Sequence, residues 1–236
     1  MPNWVFNGLT IEGNPDEVNK LVNQMNQPFR VMHDSWDMDT MSQVKKNTLY
    51  SAPIFAFWNI IKPTDLEAYH KQADHSLPMI EALQFKGDHW YDFNVREWGT
   101  KWDVAVSNDD KAPDTYMEGP IANGDNLVVY YNFNTAWGVP YPALEKLSAQ
   151  YPKLLFTLSY EEETGWGGEA EFLRGKVISN SEYGWQCKEC DNKQEEMPYC
   201  EECEYDACNT CGWNGDDVDT HKAHVVEFAL TNKENA

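Results

Sequence analysis

Polar and apolar residues alternate well enough from Trp4 to Glu12 to mark a strand, with Val5, Leu9 and Ile11 apolar and polar neighbours between them. A period of two over that length predicts a strand with one face turned to a core. The period then changes. Asn14-Pro15-Asp16-Glu17 supplies a helix cap, a proline at the first helical position and two acids in the first turn. Val18, Leu21, Val22 and Met25 follow as the apolar stripe of a short helix. A second strand is predicted at Trp98–Ser107, and its partner at Asn126–Thr135, which is rich in β-branched and aromatic residues. Pro140-Tyr141-Pro142 opens a second helix carrying Leu144, Leu147 and Tyr151. Leu154–Glu162 reads as a fourth strand, and a glycine-rich turn at 165–168 leads into a fifth, Glu169–Ile178.

The order β-α-β-β-α-β with an added strand predicts an α+β fold on the ferredoxin-like, split βαβ plan over residues 1–180. Residues 27–94 stand outside that plan. Short helical patterns at Thr40–Asn47, Thr64–His75 and Leu77–Gln84, broken by Pro53, Pro63 and Pro78, predict a helical insertion between the first helix and the second strand.

Past residue 180 the chemistry changes. All six cysteines fall in three CxxC pairs, and two histidines follow. The potential ligands are Cys187, Cys190, Cys200, Cys203, Cys208, Cys211, His221 and His224. A CxxC turn sets two thiolates on one side of a tight loop, half of a tetrahedron, so eight such donors suffice for two Zn²⁺. An iron–sulfur cluster would use four thiolates and leave the other donors unexplained. Disulfides need an oxidising compartment, and MPNWVFNGLT lacks the basic and long apolar stretches of an export signal. Two closed, structural zinc sites are therefore expected over residues 181–230, with 231–236 as a polar tail. Spacing leaves the pairing open. Ligands taken in order would join Cys187, Cys190, Cys200 and Cys203. A cross-brace would join Cys187, Cys190, Cys208 and Cys211 on one ion and Cys200, Cys203, His221 and His224 on the other.

Two resemblances add to these readings. Tyr199 before Cys200, the run Tyr205-Asp206-Ala207-Cys208, the third CxxC and the closing histidines together resemble a ZZ-type zinc finger. That resemblance implies the cross-brace. It also implies a small acidic pocket for a free amino terminus or basic side chain, at Glu204 and Asp206 with Glu189. The segments MPNWVFNGLTIEG, EWGTKWD, FNTAWGVPYPALEKLSAQYP and FTLSYEEETGWGGE, in that order, resemble the Api92/YubB-like family of phage and plasmid proteins. This second resemblance implies a ferredoxin-like domain and a mobile-element protein acting in a bacterial host's cytoplasm. It implies no activity.

Charge narrows the partners. The chain carries 39 acidic against 18 basic side chains, a formal charge of −21. Such a balance argues against direct nucleic-acid binding and against anionic membranes. The longest apolar run, Ala52–Ile61, is too short to cross a bilayer. Residues 181–236 alone hold fourteen acids and four bases. Catalytic signatures are missing: there is no Gly-x-Ser-x-Gly or His-Glu-x-x-His, and no Lys-Ser/Thr follows the glycines at 165–168. Glu67 and His70, near Asp74 and His75, read as a solvated helix surface, and Glu161-Glu162-Glu163 as a solvated hairpin edge. Alternation would put Arg96, Trp98 and Trp102 on one strand face, where with Trp4 and Trp137 they would wall a core edge or a small pocket. The expected function is a non-enzymatic zinc protein that binds a host protein or basic peptide. The competing expectation is an acidic mimic of nucleic acid that inhibits a host DNA-binding or defence protein.

Overall fold

The computed structural model of the protein describes residues 3–70, 89–104 and 115–186, with two-residue strand segments at 193–194, 199–200 and 205–206. The chain divides into two compact units, Met1–Tyr160 with Ala170–Asn180, and Glu161–Glu169 with Ser181–Ala236.

The first strand, β1 (Trp4–Gly13), alternates as its sequence predicts: Val5, Asn7, Leu9 and Ile11 are buried while their neighbours are not. Helix α1 (Pro15–Met25) starts where Asn14 accepts a hydrogen bond from the Asp16 amide through its side chain at 3.0 Å. It buries Val18, Leu21 and Met25. An antiparallel hairpin follows, β2 (Phe29–Asp37) with β3 (Ser42–Tyr50), then a single 3-10 turn (Phe57–Asn59) and the short α2 (Leu66–His70). Helix α3 (Trp90–Glu97) precedes β4 (Tyr116–Asn123) and β5 (Asn126–Ala136). Helix α4 (Tyr141–Gln150) leads to β6 (Leu155–Glu162), β7 (Gly167–Leu173) and β8 (Lys176–Tyr183).

The main sheet runs β4-β5-β1-β6-β7-β8, with β5 antiparallel to both β1 and β4. The chain leaves β1 and returns at β4, skipping the place that β5 takes. It leaves β5 through α4 and returns at β6, skipping β1. These two split crossovers make a ferredoxin-like domain, and β7 and β8 lengthen its sheet. One sheet face carries the core: Val5, Leu9 and Ile11 of β1 with Val129, Tyr131 and Phe133 of β5. Residues ahead of the 3-10 turn join that core, where Phe55 stacks on Phe133 with centroids 4.9 Å apart.

Polar atoms fasten the insertion to this frame. Asn59 donates to the carbonyls of Met25 and Gln27 at 2.9 and 2.8 Å, so it satisfies acceptors left open past the last turn of α1. Gln24 donates to the Asn59 carbonyl and to Gln150 at 2.9 and 2.8 Å, tying α1 to the 3-10 turn and α4.

Several sequence expectations need correction. The insertion begins with the hairpin β2–β3 rather than a helix at Thr40–Asn47. The polar run SQVKKNTLY misleads because much of β3 faces water and needs no strict alternation. Of Thr64–His75, the stretch Leu66–His70 is helical; residues 71–75 and the helix expected at Leu77–Gln84 lie outside the described residues. Where a strand was expected at Trp98–Ser107, Trp98 caps the end of α3 and residues 99–104 form a turn; residues 105–107 lie outside the described residues, and the strand in that topological place is β4. Glu169–Ile178 is two strands, because Arg174 and Gly175 turn the chain with φ of 54° and 78°.

Candidate metal centre and tryptophan cluster

Within the cysteine-rich region the described residues form two small antiparallel pairings. Strand β9 (Trp185–Gln186) pairs with β10 (Lys193–Gln194), and the chain between them contains Cys187 and Cys190. Strand β11 (Tyr199–Cys200) pairs with β12 (Tyr205–Asp206), so Cys200 closes one strand and Cys203 lies in the connection. Two of the three CxxC pairs are thus bracketed by hairpin pairings. By residue type, six thiols and two imidazoles are donors of the kind that tetrahedral Zn²⁺ takes. Of the eight expected ligands, Cys200 is within the described residues. Cys187, Cys190, Cys203, Cys208, Cys211, His221 and His224 lie outside them, as do Glu189 and Glu204. Among the described residues no group of three or more His, Cys, Asp or Glu side chains is placed to hold a metal.

In the same unit, the acidic run at the β6–β7 turn departs from expectation. Glu163 is exposed, but Glu162 is 3% exposed. Its amide donates to the Trp166 carbonyl at 2.8 Å, and its carboxylate accepts from the Thr164 amide at 2.7 Å and from the Thr164 hydroxyl. Glu162 is therefore a turn-closing residue rather than a solvated one. Burial, and then the charges of Glu161 and Glu169, push the Tyr183 phenol up from its ordinary value.

The residues expected to wall a tryptophan pocket separate into two groups. Trp98 is a core residue at 1% exposure: it packs on Phe57, Trp58 and Phe93, and its indole N–H donates to the Ile61 carbonyl at 3.2 Å. Arg96 pairs with Glu97 at 2.8 Å and lies over the Phe93 ring. Glu97 also receives Lys146 from α4, and that hydrogen bond holds its carboxyl below the usual carboxylate range. Of the other three tryptophans, Trp102 and Trp137 gather around Lys101. The Lys101 ammonium sits 3.9 Å from the Trp137 ring centroid and 4.7 Å from that of Trp102. Trp102 in turn lies 6.1 Å from Trp4, and Trp137 lies 6.2 Å from Tyr91.

The two groups arise from one local cause. Gly99, at φ 82°, turns the chain out of α3, so the period of two never applies to residues 96–103. Asp103 points inward and accepts from the Phe57 and Trp58 amides at 2.8 Å each. The pocket expected from sequence left out Lys101 and Tyr91; the Gly-Thr-Lys-Trp turn after a helical stretch was the available signal. Glu67 and His70 do come together, in an open cavity of about 630 Å³ lined also by Arg30, Met32, Asn47 and Leu66.

Residues 101–202 match a known family: the ferredoxin-like domain in Api92-like protein. The domain's strand order, derived above from pairing alone, agrees with that description. No curated protein matches the chain. Among solved structures the chain is similar to a protein api92 from Yersinia pseudotuberculosis, at 12% identity and a TM-score of 0.40, over 79% of this chain and 100% of that one.

Proposed function

We propose that this chain is a non-enzymatic zinc protein that binds a basic peptide or protein surface, with Cys187, Cys190, Cys208 and Cys211 on one ion and Cys200, Cys203, His221 and His224 on the other. The observation that carries the reading is the placement of two CxxC pairs within short antiparallel pairings, β9–β10 and β11–β12. Zinc would make local folding free energy out of ligand binding, since so short a segment has little core of its own. The acids around it supply the recognition chemistry: Glu189, Glu204 and Asp206 would take an ammonium or guanidinium group. A bacterial cytoplasm, with the chain encoded by a phage or mobile element, is the setting in which reduced thiols would be kept available.

A pull-down from host lysate supplies the partner, and the double variant Glu204→Lys with Asp206→Lys tests the site. Charge-assisted hydrogen bonds contribute roughly 1.5–3 kcal/mol each, so binding should fall by about two orders of magnitude with zinc content unchanged. Retention of the same partner at normal yield would end the reading. An acidic mimic of nucleic acid would behave otherwise. Its affinity would be spread over many carboxylates, would tolerate two reversals, and would fall steeply with salt.

A further inference from the structure

The face of the sheet turned away from the core is open and aromatic. Phe6 of β1, Tyr116 of β4 and Tyr130 of β5 are 49%, 53% and 39% exposed. Register puts them on one face. Thr10 pairs with Tyr130, which pairs with Glu118; Gly8 pairs with Asn132, which pairs with Tyr116; and Phe6 lies two residues from Gly8. Directly opposed residues share a face, and Tyr116 and Tyr130 are diagonal neighbours about 7–8 Å apart. Gly8 carries no side chain in the middle of this face, where the Ser159 hydroxyl, which donates to the Gly8 carbonyl at 3.3 Å, and the Asn132 amide form a polar floor beside the three rings.

Among the described residues, the four strands β4, β5, β1 and β6 carry charge of one sign. Strands β1, β4, β5 and β6 contain no lysine or arginine. Glu118 stands on the open face beside Tyr130, and Glu12 on the same face two residues beyond Thr10. Phosphate would meet two carboxylates here and no cation, which disfavours a nucleic acid despite the rings. A guanidinium suits both features, because its plane stacks on an aromatic ring while its edge pairs with a carboxylate or an amide oxygen. A lysine ammonium is compact and strongly hydrated, and stacks less well. At the head of β1 the protein already holds its own cation against rings, Lys101 on Trp102 and Trp137.

We infer that the open face formed by β4, β5 and β1 docks an arginine-bearing extended segment of a basic partner, with guanidinium groups stacked on Phe6, Tyr116 and Tyr130 and paired with Glu12 and Glu118. The inference uses no residue of the cysteine-rich region and stands whether or not that region binds zinc.

The test uses the full-length protein and two labelled octapeptides, one of arginine and one of lysine, read by fluorescence anisotropy. Equal peptide charge removes the general attraction of an acidic protein. Stacking on two or three rings should favour arginine by roughly tenfold. Tyr130→Ala and Phe6→Ala should each bring the arginine peptide toward the lysine value and leave the lysine peptide and the zinc content unmoved. Circular dichroism checks that the variants fold. Tyr116→Ala, on the edge strand, provides the same reading should either central substitution unfold the sheet. Equal affinity for the two peptides, or ring variants without effect, overturns the inference. So does binding of labelled oligouridine at comparable affinity, or a sedimenting dimer that Phe6→Ala dissociates, since each gives the face to a different occupant.

Discussion

Asp103 shows how much one side chain can settle at a distance. Its two oxygens accept from successive amides of Phe57 and Trp58, and the residue is 6% exposed. Asp103→Ala leaves those two buried donors without a partner, which should cost about 2–4 kcal/mol in urea denaturation. A drop below half a kcal/mol would mean that water replaces the carboxylate. Nothing near Asp103 in sequence announced this role, because its partners are 45 and 46 residues away. The Asn14 cap was legible because it acts two residues along on the Asp16 amide. Tyr50 gives a pH prediction. Burial, and then the charge of Asp103, push its phenol up to about 12. The fold thus favours the neutral phenol. Its contribution is fully present below the unfolded value near 10 and is lost as pH rises toward about 12. Urea midpoints taken across that window should fall with pH, and Tyr50→Phe should flatten part of the fall. An unchanged slope in the variant would remove Tyr50 from the account. The phenols of Tyr69 and Tyr131 are also pushed up, chiefly by burial, so the slope should flatten without vanishing.

Among the elements, legibility followed the contrast between faces. β1, α1, β5, α4 and β6 each bury one side and leave the other wetter, and all five were placed from the sequence, β1 by alternation, the helices by their apolar stripes and β5 by its β-branched and aromatic residues. β3 and β4 lack that contrast. β4 is an exposed edge strand with a register irregularity between Glu118 and Ile121, so its sequence has little pattern to read. Trp98–Ser107 failed for the opposite reason. Large residues at 96, 98 and 102 imitate a strand face, whereas Gly99 makes the alternation irrelevant. Gly99 is also where an element can be broken. A Cβ there would lie 2.6 Å from the Pro142 Cδ and 2.8 Å from the Val139 carbonyl oxygen, at a φ that side chains avoid. Gly99→Ala should destabilise by at least roughly 1–3 kcal/mol on backbone strain alone, seen as a lower melting temperature. Gly8→Ala is the control, since its Cβ meets the movable Ser159 hydroxyl at 2.9 Å and its φ lies outside the left-handed region. Equal melting shifts for the two would contradict this reading of the turn.

At the scale of the whole molecule, two sequence features that strand pairing does not need remain to be explained: the formal charge of −21 and eight soft or borderline ligands near the C-terminus. Fold class was readable because a split βαβ sheet requires only the order of its elements, and that order survived an incorrect second strand. The proposed metal centre rests on ligand spacing alone, whereas which ligands would share an ion depends on how the connections fold in space. Both features meet in the proposal of a zinc-braced acidic reader. The measurement that tests it most directly is the metal stoichiometry of the purified full-length protein, by native mass spectrometry with elemental analysis. With eight donors in tetrahedral sets the account predicts two zinc ions per chain, released by chelation together with loss of structure in the cysteine-rich region while the sheet persists. One ion per chain, iron in place of zinc, or a metal-free protein with its thiols joined in disulfides would contradict it.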